Sequence, residues 1–109
     1  MNLISNERSF LDYLDKATAE MRNLNEEIKD CFACHLRSPS VEPLCGAGYP
    51  LADIFLLKSF PDEEEKDKKV AFAGRIGEVF YKAFERLNID VSTVYGTNVL
   101  KCQPANEDL

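Results

Sequence analysis

The chain has 109 residues, 45% hydrophobic and 29% charged, which suits one globular domain, or part of one, with a modest core. Its formal charge of −6 argues against non-specific nucleic-acid binding by this chain alone, because phosphate contact needs clustered Lys and Arg. Residues 1–5 lack the flank and core of a signal peptide, and the longest apolar run, Ile54 to Leu57, is far too short to span a bilayer.

A cytoplasmic location is therefore expected, and there the four cysteines read as ligands or buried thiols rather than disulfides. In chain order, Ser5 or Asn6 is placed to cap a first helix that runs to about Asp30. Phe10, Leu14, Ala17, Met21, Leu24 and Ile28 recur three and four apart and give that helix one apolar stripe. Cys31-Phe-Ala-Cys34 follows directly, and Pro39, Pro43, Gly46, Gly48 and Pro50 punctuate an irregular connection.

Ala52 to Leu57 reads as a first buried strand, and Lys58 to Ala71 as a loop whose charged run, Asp62 to Lys69, faces solvent. Glu63, Glu64 and Glu65 belong to that solvated run and carry no assigned role. Phe72 to Gly77 opens a helix with an apolar face of Ile76, Val79, Phe80, Ala83, Phe84 and Leu87, ending near Asn88. Val94, Tyr95, Val99 and Leu100 are strand-formers, and Gln103-Pro104 stops that strand because proline cannot donate to a ladder.

Strand, helix and strand make one βαβ crossover, expected to be right-handed and to pair its strands in parallel. Parallel sheets usually have more strands and both faces covered, so the chain reads as part of a doubly wound domain with the Val94 strand exposed at an edge. A fragment, a truncated gene product or one half of a split pair is the expectation, with a partner chain or second copy over that edge.

From Cys31 to Asn106 the sequence resembles the family 4, iron–sulfur uracil-DNA glycosylases. The resemblance rests on Cys31-Phe-Ala-Cys34, Gly46-Ala-Gly-Tyr-Pro-Leu-Ala52, Lys58-Ser-Phe-Pro-Asp62, Ala71-Phe-Ala-Gly-Arg-Ile-Gly77 and Thr97-Asn-Val-Leu-Lys-Cys-Gln-Pro104. From Gly46 onward these runs fall in register without gaps, over about two thirds of the chain but only the amino-terminal half of the family's domain. The implied fold is an incomplete, doubly wound α/β/α domain with a short parallel sheet and an amino-terminal helix. Its implied division is residues 1–30 as the helix and residues 31–109 as the first half of the glycosylase-like domain.

The resemblance implies that Asn98 reads the edge of a flipped-out uracil, whose N–H donor and neighbouring carbonyl one amide complements. The plainer reading of Asn98 is a strand-end side chain tying down a loop. Phe72 matches the family's stacking aromatic, and a core phenylalanine is the alternative. Gly74, Arg75 and Gly77 suit a tight helix start that could face a phosphate, although an exposed arginine is the simpler reading of Arg75.

Ser59 stands where the family has a catalytic glutamate, and serine cannot act as a carboxylate base. Lys58 and Asp62 replace loop glycines and should crowd or recharge the pocket. Lys58 as an amine nucleophile at an abasic sugar is a bolder alternative.

Three cluster ligands are implied, Cys31, Cys34 and Cys102, with the fourth expected beyond Leu109. A [4Fe–4S] cluster wants four thiolates. Cys45 could complete a set suited to that cluster or to zinc, or it is a buried apolar thiol. His35 reads as a surface residue or, less simply, as a ligand. Three readings follow: a DNA-repair, base-excision glycosylase lineage present as a fragment or a catalytically decayed pseudoenzyme; a non-catalytic, metal-stapled interaction module on the same fold; or a chain in which only the fold survives.

Overall fold

A computed structural model describes the backbone of residues 3–104 and the side chains of residues 7–104. The far end of the resembling stretch, Asn106, lies outside the described residues. Helix α1 spans Leu3–Lys29, so Ser5 and Asn6 fall inside its opening turns rather than at a cap. Leu14, Ala17, Met21 and Ile28 are half-buried as expected, while Phe10 and Leu24 of the same stripe are exposed. The later turns of α1 rest on the protein, where the Tyr95 hydroxyl reaches Met21 Sδ at 3.4 Å.

Three short strands follow: β1 (Ala47–Gly48), β2 (Ile54–Lys58) and β3 (Val94–Asn98). The sheet order is β1-β3-β2. Strand β2 pairs in parallel with β3, from Ile54 opposite Val94 to Lys58 opposite Asn98. Strand β1 pairs antiparallel, Ala47 opposite Gly96 and Gly48 opposite Tyr95. The sheet is thus mixed, and the Val94 strand is its centre rather than its edge, with all five residues buried. β1 escaped the sequence reading because its residues are small; Gly48 has φ +129°, and a Cβ there would stand 2.2 Å from the Val94 carbonyl oxygen.

The strand boundaries also shift. β2 starts two residues later than expected and takes in Lys58, and β3 ends at Asn98, leaving Val99 and Leu100 exposed. Between β2 and β3 the expected loop is a short helix, α2 (Glu63–Lys68), followed by α3 (Arg75–Arg86). Phe84 of α3 is buried, and Phe80 meets Phe72 edge-on with centroids 5.5 Å apart. Val79, Ala83 and Leu87, expected inside, are exposed, because the small sheet receives only a narrow stripe of the helix. Asn88, at φ 57°, provides the left-handed stop after α3 near the expected end. Among the described residues no helix is long and apolar enough to cross a membrane.

Candidate functional site

The parallel register sets Lys58 beside Asn98 where β2 and β3 end, the end at which open α/β sheets bind ligands. The chain leaves β2 through buried Pro61 and turns into α2 at Asp62. Asp62 Oδ1 accepts from the Glu65 N–H at 2.8 Å, and Glu65 Oε1 accepts from the Asp62 N–H at 3.3 Å, a reciprocal capping box. That box turns the Glu65 side chain back toward the strand ends, and Glu65 is fully buried.

Glu65 is the residue that sequence reasoning missed. Its Oε2 accepts from the Phe72 N–H at 2.8 Å and from Asn98 Nδ2 at 3.2 Å. Its Oε1 pairs with the Lys58 ammonium as well as with Asp62 N–H. Burial alone would push this carboxyl's pKa up. Lys58, the Phe72 N–H, Asn98 and the Asp62 N–H together outweigh burial and hold it below its ordinary value. Glu65 is therefore an anion with all four lone-pair directions occupied. The signal that could have found it is the Asp-x-x-Glu spacing of Asp62 and Glu65 directly after a proline.

Asn98 is also fully buried, and its Oδ1 has no hydrogen-bond partner among the described residues. Its backbone carbonyl accepts from Lys101 Nζ, which also donates to Thr97 Oγ1 at 2.8 Å. The structure brings Phe72 to the same corner. Its N–H shares Glu65 Oε2 with the Asn98 amide, and its ring lies over Gly96, where a Cβ would come within 2.7 Å of the ring. Gly96 and Asn98 are two apart on one strand and so share a face. Phe72 has φ 61°, a left-handed backbone that costs a bulky residue about 1–3 kcal/mol and that the Glu65 bond helps maintain.

Lys58 stands at the mouth of this corner. Its ammonium donates to the Phe60 carbonyl, pairs with Glu65 and sits 6.0 Å from the Phe72 ring centroid. An ammonium so engaged has no lone pair to offer, which disfavours the nucleophile reading. Ser59 is exposed and offers only a hydroxyl there. At the start of α3 the anion in place is Glu64, whose carboxylate accepts from the Arg75 N–H at 3.1 Å and pairs with the Arg75 guanidinium at 3.6 Å. Gly74 makes room for that Glu64 side chain, and Gly77 for the Phe72 carbonyl.

The cysteines divide into two neighbourhoods. Burial first, then Cys34 and Cys31, push the Cys102 thiol up while Arg37 pulls it down. Cys31 and Cys34 are nevertheless exposed and Cys102 is buried. Cys45 lies elsewhere, donating to the Asn25 carbonyl at 3.6 Å, and burial raises its thiol against the pull of Lys29 and Lys101. Among the described residues no group of three or more His, Cys, Asp or Glu side chains could hold a metal ion. The thiols as folded do not fit a cluster or a zinc site, Cys45 does not complete one, and exposed His35 belongs to none.

No protein-family model matches the chain. The type-4 uracil-DNA glycosylase of Sulfurisphaera tokodaii is 31% identical over 87 residues, which is 79% of this chain and 40% of that protein. The type-4 uracil-DNA glycosylases of Archaeoglobus fulgidus and Thermotoga maritima are each 31% identical, covering 73% and 79% of this chain and 40% and 45% of their own lengths. The chain thus spans less than half the length of the curated relatives it matches. Along roughly four-fifths of its own sequence, this chain resembles the type-4 uracil-DNA glycosylases.

Proposed function

We propose that the chain is the nucleobase-holding part of a uracil-DNA glycosylase-like protein of base-excision repair, with excision chemistry impaired in its own residues. One observation carries this reading. The Asn98 amide, enclosed at the end of the central strand, keeps an acceptor with no partner among the described residues, two positions along β3 from the glycine that the Phe72 ring covers. A buried acceptor without a donor costs about 1–3 kcal/mol and calls for an explanation, which a ligand N–H supplies. Uracil extruded from the helix would give its ring N–H to Asn98 Oδ1, take a bond from Nδ2 at its carbonyl, and lie against Phe72. Lys58 must first swing aside from the ring.

Bond cleavage is the weak step. The exposed Ser59 hydroxyl cannot replace a carboxylate that activates water, and Glu65 has no lone pair left to do so. Arg75, largely exposed, is the group for a DNA phosphate, since Glu64 already occupies the N–H at that helix start. In this reading residues 31–109 are the first half of a doubly wound, cytoplasmic glycosylase domain, and residues 1–30 an added helix. A partner chain or second copy would cover the exposed Phe55 and Leu57 of β2.

The test is incubation of the purified chain with uracil-containing single-stranded and duplex DNA, with and without Ser59→Glu. Binding without release of free uracil is expected from the unmodified chain. Uracil release at an enzymatic rate by that chain would overturn the impaired reading, and no binding at all would overturn the repair reading.

A further inference from the structure

We infer that Glu65 is a positioning residue: its carboxylate fixes which way round the Asn98 amide sits, and so sets the donor–acceptor order that a base meets. The inference rests on the base-binding reading above. Two of the four groups on Glu65, the Asp62 and Phe72 N–H, are backbone and can only donate, and the Lys58 ammonium can only donate. A buried anion in that position is kept, and the fourth contact, at 3.2 Å, must also be a donor. If the amide turned over, Oδ1 would face a carboxylate oxygen at that distance, two acceptors with no proton between them in a site closed to water.

Nδ2 is therefore locked onto Glu65, and what remains for a ligand is Oδ1 and the second N–H. An acceptor beside a donor complements a ring N–H beside a carbonyl, the edge of uracil. Cytosine presents the reverse order, a ring nitrogen acceptor beside an amino donor, and mismatches both atoms. On this view the carboxylate supplies base selectivity without touching the base.

A merely structural role for the ion pair predicts something different, which allows a test. The full chain is titrated with free uracil and free cytosine by NMR, and the proton exchange of the Asn98 side-chain amide is recorded. Three proteins are compared: the native chain, Lys58→Met, and the double variant Lys58→Met, Glu65→Met, in which two apolar side chains replace the pair and spare the fold a lone buried charge.

Uracil is expected to bind the native chain about tenfold or more tightly than cytosine, equivalent to one well-placed hydrogen bond. Lys58→Met should change both affinities together and keep that ratio. The double variant should lose the ratio, and its Asn98 amide should exchange faster. A double variant that keeps the preference for uracil overturns the inference. If the native chain binds neither base, the base-binding reading fails separately, and amide exchange then decides: faster exchange in the double variant than in Lys58→Met upholds the locking of Asn98, and equal exchange overturns it.

Discussion

The corner around Glu65 and the turn carrying Cys31 and Cys34 are both marked by family-like residues, yet they come together differently. At the first, residues far apart in sequence meet because each has a partner that the fold itself supplies: Lys58, Phe72 and Asn98 converge on one enclosed carboxylate. At the second, two exposed thiols and one buried thiol share a neighbourhood without closing on anything. Half-buried Arg37 lies over the Phe32 ring and donates to the Val41 carbonyl next to that turn. Hydrogen bonds that satisfy buried donors set geometry by themselves, whereas a thiol set needs a metal to draw it in.

The largest effect should come from removing the carboxylate. Glu65→Leu leaves the Asp62 and Phe72 N–H, the Asn98 amide and Lys58 without their shared acceptor, and a loss of about 3–5 kcal/mol is expected from urea unfolding. A loss below about 1 kcal/mol would break the contrast between the two regions, since the corner would then be as loosely held as the turn. Next comes Gly96→Ala. Its methyl group would press on the Phe72 ring, and overpacking of this kind costs about 1–3 kcal/mol. An unchanged unfolding midpoint would mean that the ring is free to leave the strand.

Acid should separate the regions more gently. The Glu65 pKa is lowered by folding, so its stabilisation is fully present above the unfolded carboxylate value, about 4.3, and is lost as pH falls through the lower folded value. The native midpoint should therefore fall more steeply in that acid range than the midpoint of Glu65→Gln, which has no proton to take up there. Parallel curves would remove Glu65 from the acid response. The smallest effect belongs to Cys34→Ser. Metal-free protein should change by no more than about 0.5 kcal/mol, as for other exposed positions. A larger loss that appears only after iron or zinc is added would show the turn closing on a metal after all.

Asn98 and Phe72 stand out in the sequence because each sits inside a run whose neighbours match, and in the fold the Phe72 N–H and the Asn98 amide donate to the same Glu65 oxygen. Glu65 was hidden by its company. Three consecutive glutamates in a run of lysines read as solvent-facing, and hydropathy cannot show that a capping box turns the third one inward. Strand β1 was hidden for the opposite reason, since Ala47 and Gly48 carry no strand preference and pair only because β3 is already there. α3 was read at the right place, but its inward face was overestimated. Amphipathic spacing reports what a helix could cover, not how wide a sheet lies beneath it.

The capping box at the start of α2 has one consequence for how the molecule assembles. Asp62 and Glu65 can meet as soon as a single helical turn forms, but the bond to Asn98 spans 33 residues and has to wait for the crossover to close. The same carboxylate therefore takes part in an early, local event and in a late, distant one. It joins the nucleus of a small helix to the completion of the strand pairing, and the loop-closure cost of the distant contact falls on a side chain that is already aimed at its target.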